Sequence, residues 1–182
     1  MTDKEIIKGC GKGNKVAQES LYTLFANRMM GLCRRYSQNR EEAEDIFQDG
    51  FVKVFGGISK LSSSEKLEPW LKRVFVNTAI TYYHKNKKHH NHFDSEELDL
   101  SQSHALDAIE HLSQQELLVF VNELPEGYRM VFNLYVMEGF KHNEIAKVLD
   151  ISTGTSKSQL SKAKAMLKKK LAQVGINQVG QK

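Results

Sequence analysis

The chain has 182 residues, enough for one ordinary domain or two small ones and too few for two large cores. Its 26 basic and 22 acidic residues leave a net charge of +4, and the lysines cluster at 85–88 and 157–170. Such clustering favours a nucleic-acid partner. Cys10 and Cys33 are far apart and lack a partner pattern, which argues against a disulfide scaffold or a zinc site.

The amino-terminal residues contain no apolar signal core, and no later run is long enough to span a bilayer. We therefore expect a soluble, cytoplasmic protein with no direct membrane insertion. Helical periodicity dominates the chain, and only Pro69 and Pro125 interrupt it. The expected fold is all-α, with two small helical domains joined by a flexible linker.

Four helices are predicted in the first domain, residues 1–88, with approximate bounds 3–8, 15–36, 40–55 and 64–87. Asn39 is expected to cap the third helix, and Gly56 and Gly57 to end it. Ser64 is expected to cap the fourth helix, in which Pro69 is acceptable only near the first turn. The residues at core spacing in the second helix are Leu21, Leu24, Phe25 and Leu32.

Residues 89–103 lack helical periodicity and are rich in His, Ser and acidic side chains, which is typical of a linker. A second domain is predicted over 104–173, followed by a polar tail, 174–182. Its first helix should break at Leu124–Pro125, and the next should end at Gly139. Two further helices complete this domain.

These two helices have the polarity and spacing of a helix-turn-helix that enters DNA. Ile145 and Leu149 would line the inner side of the first helix, Asp150 would tolerate a left-handed turn, and Ser152 would cap the second helix. The polar positions of the second helix suit contacts with phosphates and base edges. They are Thr155, Lys157, Ser158, Ser161 and Lys162.

The third predicted helix has a surface of mixed acidic, amide and apolar character opposite its core side. We call it the docking stripe, and it consists of Asp45, Gln48, Asp49 and Val52. Such a stripe suits another protein's helix better than DNA, although an ordinary solvated acidic face is the alternative. Glycine destabilises a helix interior relative to alanine. The presence of Gly50 therefore suggests that another segment's backbone approaches this helix closely.

The fourth predicted helix has a surface of opposite charge in which cationic and aromatic side chains alternate. We call it the basic aromatic face; it consists of Arg73, Asn77, Thr81, Tyr82, His84, Lys85 and Lys88. Lysines neutralise phosphates, and aromatic groups stack on bases taken out of a duplex, so this face suits melted DNA. Trp70 and Phe75, in the same helix, are interpreted mainly as core residues.

Three blocks in order resemble the sigma-70 family of bacterial RNA polymerase initiation subunits, in its small extracytoplasmic-function (ECF) branch. AEDIFQDGFVKVF looks like region 2.2, EPWLKRVFVNTAITYYHKNKK like regions 2.3 and 2.4, and LPEGYRMVFNLYVMEGFKHNEIAKVLDISTGTSKSQLSKAKAML like region 4. The resemblance covers nearly the whole chain except the linker and tail, and it implies a two-domain helical protein without an intervening region 3.

The resemblance also implies partners and roles. The docking stripe would bind core RNA polymerase, the basic aromatic face would open and read the minus-ten element, and the second helix of the helix-turn-helix would read the minus-thirty-five element of promoter DNA. An anti-sigma protein is a further partner implied by the resemblance alone. The expected activity is that of an alternative sigma factor, which is not an enzyme and has no catalytic residue, cofactor or metal.

The helix-turn-helix departs from the family pattern at several positions. Lys141 stands where a capping Ser or Thr is frequent, and because lysine cannot accept an N-cap hydrogen bond, Asn143 is expected to start the helix instead. Asp150 replaces the usual Gly. Ser156 replaces a common buried Val, which gives up apolar burial of about 1 kcal/mol. Gln159 replaces a frequent Arg near the phosphates.

Two other functions remain open from the sequence. One is a stand-alone helix-turn-helix regulator, with the first domain as a sensor or dimerisation module. The other is a metal-dependent enzyme or metal sensor, although a solvated or phosphate-contacting tract is favoured because the histidines lack a companion Cys or carboxylate at structural spacing. The histidines concerned are His84, His89, His90, His92 and His104.

Overall fold

The computed structural model describes residues 1–61, 66–89 and 114–173. Within these ranges the chain forms helices and no β-strand, which confirms the all-α prediction. It divides into two compact units, Met1–His89 and His90–Lys182. The α-helices, numbered in chain order, are α1 (Asp3–Gly11), α2 (Lys15–Tyr36), α3 (Arg40–Gly57), α4 (Leu67–His89), α5 (Gln114–Asn122), α6 (Glu126–Phe132), α7 (His142–Leu149) and α8 (Thr153–Gln173).

In the first unit α2 packs against α1, α3 and α4, and α3 packs against α4. Each of the first three helices begins at a side chain that accepts backbone N–H groups: Thr2, Asn14 and Asn39. The cap at Asn39 is the predicted one, and its Oδ1 accepts the Glu42 N–H at 2.8 Å. Fully buried apolar side chains fill the space between the helices, among them Leu21, Leu32, Val54, Leu71 and Phe75.

Several details of the first unit differ from the prediction. Leu24 is 55% exposed, because the buried stripe of α2 is centred on Leu21, Phe25 and Leu32 and Leu24 lies at its edge. Helix α1 is one turn longer than expected, and α3 includes Gly57 and continues into a 3₁₀ turn. The predicted cap Ser64 lies outside the described residues.

Gly50 is present in α3 because of a close approach, but the neighbour is a ring rather than a backbone. A Cβ added at Gly50 would lie 2.3 Å from Cε1 of Phe75, a residue of α4 that is fully buried. The absence of a side chain therefore lets α3 and α4 pack with Phe75 between them. Trp70, in contrast, is only half-buried, so it is a weaker core residue than predicted.

In the second unit the helical segment is interrupted at Pro125, as predicted, between α5 and α6. The buried guanidinium of Arg129 donates from Nη1 to the Asn122 carbonyl at 3.0 Å, which satisfies an acceptor at the end of α5. The stretch after α6, Asn133–Met137, has π-helical hydrogen bonding, which the sequence did not indicate. Gly139 then turns the chain with a φ of 74°. The predicted start at residue 104 and the tail lie outside the described residues, as does the predicted linker, 89–103, except that His89 is the last residue of α4.

The helix-turn-helix consists of α7 and α8, which pack against each other. Asp150 adopts the left-handed conformation, with a φ of 53°, and Ser152 Oγ accepts the Thr155 N–H at 2.9 Å; both features are as predicted. The expected start at Asn143 is wrong, because α7 begins at His142 after an extended Lys141. The Glu144 carboxylate accepts the Lys141 N–H at 2.7 Å, which helps fix this terminus without a capping side chain at Lys141.

Candidate docking and nucleic-acid surfaces

The docking stripe lies on the solvent side of α3. Asp45, Gln48 and Asp49 are exposed, and Val52 is 70% exposed. The opposite side of α3 holds Phe47 and Phe51 against α2 and α4. The helix thus presents two carboxylates, an amide and one apolar side chain together, a composition that suits a protein surface.

The basic aromatic face lies on α4. Arg73, Asn77, Thr81 and Lys85 are exposed and His84 is half-buried, whereas the side chain of Lys88 lies outside the described residues. The Thr81 hydroxyl donates to the Asn77 carbonyl at 2.9 Å within the helix, which leaves its oxygen to accept from another group. The side chains of Arg73, Asn77 and Lys85 are exposed, so a polyanion can reach them.

Tyr82 is half-buried at the border between this face and α3. Its hydroxyl donates to Asp49 Oδ2 at 2.9 Å, and Lys85 Nζ lies 5.7 Å from its ring centroid. Burial, the hydrogen bond to Asp49 and the negative charges of Asp49 and Asp45 raise the pKa of Tyr82 to about 12. The phenol therefore stays protonated and serves as a donor to the docking stripe.

The candidate DNA-reading surface of α8 occupies its first three turns. Lys157, Ser158 and Ser161 are exposed, and Lys162 is half-buried. Thr155 is also half-buried, and its hydroxyl lies 2.8 Å from Ser152 Oγ within the N-cap, so part of its hydrogen-bonding capacity is used inside the protein. The exposed members form one continuous side of the helix.

Two further lysines extend this side of α8 toward its C-terminal end. Lys164 and Lys168 follow Lys157 at helical intervals of seven and eleven residues, and Lys168 is exposed. Gln159, expected near the phosphates, instead packs its amide against Gly127 of α6. The helical spacing of the lysine run could have identified Lys168, whereas the position of Gln159 depends on the packing of α6.

Ser156 is fully buried at the contact between α7 and α8. It does more than give up apolar burial, because its hydroxyl makes a polar contact there. Its Oγ lies 2.9 Å from Nδ1 of His142, so each polar group has a partner. The His142 ring stacks on Tyr135 with centroids 4.6 Å apart. Burial, with the positive charges of Lys157 and Lys164, lowers the pKa of His142.

Of the histidines considered for metal binding, only His84 has a described side chain. Within the described residues no group of three or more His, Cys, Asp or Glu side chains is arranged to hold a metal ion. Cys10 and Cys33 are buried, free thiols. None of the described helices is long and apolar enough to cross a membrane.

Comparison with known families covers both units. Residues 21–89 match the family model described as Sigma-70 region 2, and residues 114–167 match the model described as Sigma-70, region 4. Together the two matches cover more than half of the 182 residues. The chain therefore belongs to the sigma-70 family.

Relatives refine this assignment. The "ECF RNA polymerase sigma-E factor" of Haemophilus influenzae is 26% identical, over 94% of this chain and 96% of the relative. The protein of the same name from Escherichia coli K12 is 24% identical, over 94% and 95%. The structure of CnrH in complex with the cytosolic domain of CnrY covers 94% of this chain and 97% of CnrH, with 18% identity and a TM-score of 0.50, and it supports the fold alone. Within the sigma-70 family, the chain is a member of the ECF branch.

The match of the first unit to region 2 argues against the alternative function, a stand-alone helix-turn-helix regulator. A stand-alone regulator would need a sensor or dimerisation module in this position, and no comparison favours one. The first unit instead combines the docking stripe with the basic aromatic face on two adjacent helices, α3 and α4.

Proposed function

We propose that the protein is an alternative sigma factor that binds core RNA polymerase and directs promoter recognition, DNA opening and transcription initiation. The observation that carries this proposal is that one chain contains both sigma regions, each with an exposed surface of suitable chemistry. The protein contributes no catalytic residue and no cofactor, and it acts in the cytoplasm. Polymerase performs the chemistry.

The docking stripe is the proposed contact with core polymerase. Its exposed valine can enter an apolar pocket of the partner, while Asp45 and Gln48 can pair with cationic and polar groups around that pocket. Tight binding by such a surface requires that the water around these side chains be displaced on contact. Relatives whose names include RNA polymerase support this assignment.

The two nucleic-acid surfaces are the proposed promoter contacts. The basic aromatic face holds the opened strand at the minus-ten element, and the first three turns of α8 read the minus-thirty-five element in the major groove. The two DNA-binding surfaces belong to one chain. Binding of one therefore raises the effective concentration of the other at the promoter and promotes its binding. Polymerase then sets the distance between the promoter elements that are used.

The branch to which the chain belongs also supports a third partner, an anti-sigma protein that holds the factor inactive. The docking stripe is the surface that such an inhibitor would have to cover in order to prevent binding to polymerase. Competition between the inhibitor and core polymerase for the labelled protein would test this part of the proposal. Simultaneous binding of both partners would contradict it.

A double substitution tests the docking assignment directly. Asp45→Ala with Gln48→Ala should weaken binding to core polymerase by about tenfold or more, because it removes two of the exposed polar side chains of the stripe. Fluorescence anisotropy of the labelled protein against purified core polymerase measures the Kd. Glu19→Ala, which removes an exposed carboxylate from α2 of the same unit, is the matched control. Unchanged affinity in the double variant, with helical content intact, would show that the stripe is not the docking surface.

A further inference from the structure

Polar contacts between described side chains join helices α3 and α4 in addition to their apolar packing. Asn86 Nδ2 donates to Glu42 Oε1 at 2.7 Å, the Tyr82 hydroxyl donates to Asp49 Oδ2 at 2.9 Å, and Lys53 Nζ donates to Thr78 Oγ1 at 3.1 Å. The residue numbers rise along α3 as they fall along α4, so the helices are antiparallel and the contacts form a ladder. This polar ladder borders both the docking stripe and the basic aromatic face.

The middle contact of the polar ladder is the one whose two residues belong to the two candidate surfaces. Asp49 is a member of the docking stripe, and Tyr82 is a member of the basic aromatic face. The Asp49 carboxylate has two oxygens, and the Tyr82 hydroxyl occupies only Oδ2. Oδ1 can therefore accept a hydrogen bond from a docked protein while Tyr82 remains bound.

The hydrogen bond also determines where the Tyr82 ring lies. An unattached tyrosine at the edge of a helix can change its χ1 rotamer, whereas a ring held by its hydroxyl stays in one orientation. Lys85 Nζ, 5.7 Å from the ring centroid, contributes a cation at the same place. Asp49 thus keeps an aromatic surface and a phosphate-binding cation together at the edge of the basic aromatic face.

We propose that Asp49 is a positioning residue for Tyr82, and that it couples binding of the docking stripe to presentation of the Tyr82 ring to the opened DNA strand. This inference rests on the proposed function of the two surfaces. When α3 is covered by polymerase, water is removed from the Asp49 carboxylate, and a hydrogen bond in a drier environment is stronger. Docking therefore fixes Tyr82 more firmly, so that the ordering of the ring is achieved before DNA is engaged.

The Asp49 carboxylate carries a charge and also accepts the Tyr82 hydrogen bond. Substitutions can distinguish these two roles. Asp49→Asn removes the charge but keeps an oxygen that accepts the Tyr82 hydroxyl, whereas Asp49→Ala removes both. Tyr82→Phe keeps the ring and removes the hydroxyl. Asn86→Ala is the matched control, because it removes a ladder contact of the same kind one turn further along α4 without touching Tyr82.

The experiment measures the half-life of the opened promoter complex after a heparin challenge, with the full-length protein saturating core polymerase on a template with a premelted bubble. Tyr82→Phe and Asp49→Ala should each shorten the half-life by about two- to tenfold, the range that one hydrogen bond provides. Asn86→Ala should keep a half-life within about twofold of the wild type, and Asp49→Asn, which keeps an acceptor for the Tyr82 hydroxyl, should shorten the half-life less than Asp49→Ala does. The double variant Asp49→Ala/Tyr82→Phe should be no worse than Tyr82→Phe alone.

Two results would overturn the positioning role. If the half-life defects of Asp49→Ala and Tyr82→Phe multiply in the double variant, the residues act independently. If Asn86→Ala causes an equal defect, general loosening of α3 against α4 is responsible. Wild-type protein that produces no promoter-specific transcripts would instead contradict the proposed function, so the two failures are distinguishable.

Discussion

The imidazole of His142 and the hydroxyl of Ser156 form a contact that joins the start of α7 to the first turn of α8. Nδ1 and Oγ are 2.9 Å apart, and Ser156 is fully buried. Because Ser156 lies one residue before Lys157, this contact helps set the angle at which the DNA-reading surface of α8 is presented. Stacking of the His142 ring on Tyr135 limits the rotation of the imidazole.

Acid should destabilise the second unit through His142. Burial and the nearby Lys157 and Lys164 lower the pKa of His142 in the folded state below its ordinary value of 6.5. The unfolded chain therefore binds a proton more readily, so the stabilisation is complete above pH 6.5 and is lost as the pH falls toward the folded-state pKa. Thermal unfolding of the second unit within the full chain, followed between pH 7.5 and 5.5, measures this loss.

The variant His142→Gln is the control for this pH dependence. Glutamine keeps a polar group that can reach Ser156 but does not titrate in this range. Its Tm should change less between pH 7.5 and 5.5 than that of the wild type. An equal pH dependence in both proteins would show that carboxylates, and not His142, are responsible.

The contact between Gly50 and Phe75 predicts a specific cost in the first unit. In Gly50→Ala the new Cβ would overlap the buried ring, and overpacking should lower the free energy of unfolding by about 1–3 kcal/mol. Gly56→Ala is the matched substitution in the same helix, where a Cβ meets nothing within 4 Å. There alanine should be neutral or stabilising by up to about 1 kcal/mol. Urea denaturation compares the two, and equal effects would contradict the packing.

The left-handed turn at Asp150 predicts a stabilising substitution. A non-glycine residue with a φ of 53° is strained, and glycine relieves that strain. Asp150→Gly should raise the free energy of unfolding of the second unit by about 0.5–1 kcal/mol, and Asp150→Ala should lower it. Chemical denaturation followed by circular dichroism tests this order. The reverse order would mean that the Asp150 carboxylate contributes more than the backbone strain costs.

The exposed side of α8 predicts a change in salt dependence. If Lys157 neutralises one phosphate, Lys157→Gln should reduce the slope of log K against log salt concentration by about 0.9 for holoenzyme binding to duplex promoter DNA. Lys4→Gln removes an exposed lysine from α1, outside the candidate DNA-binding surfaces, and should leave the slope nearly unchanged. Equal slopes for the wild type and Lys157→Gln would remove Lys157 from the DNA contact.

The sequence predicted most of the helical framework because its signals are local. The cap at Asn39, the break at Pro125, the left-handed Asp150 and the cap at Ser152 depend on a few neighbouring residues, and the structure confirms them. Periodicity was less reliable at the edge of a buried stripe, where Leu24 lies, since a small rotation of the helix decides exposure there.

Helical periodicity could not predict contacts between residues that are distant in the sequence. The hydrogen bond from Tyr82 to Asp49 joins residues 33 positions apart, and the contact between His142 and Ser156 joins residues 14 apart. The start of α7 was misplaced because Glu144 satisfies the Lys141 N–H without a capping side chain at Lys141. The contacts of Tyr82 and His142 arise from tertiary packing, so they became visible only in the folded chain, whereas the Glu144 contact is local, three residues from Lys141.

The most direct test of the central claim is run-off transcription with purified core RNA polymerase from the source organism on a pool of its genomic promoters, with and without this protein. We predict transcripts that depend on the protein and begin downstream of a shared pair of sequence elements. Absence of such transcripts, together with specific binding of the protein to duplex DNA without polymerase, would contradict the assignment as a sigma factor.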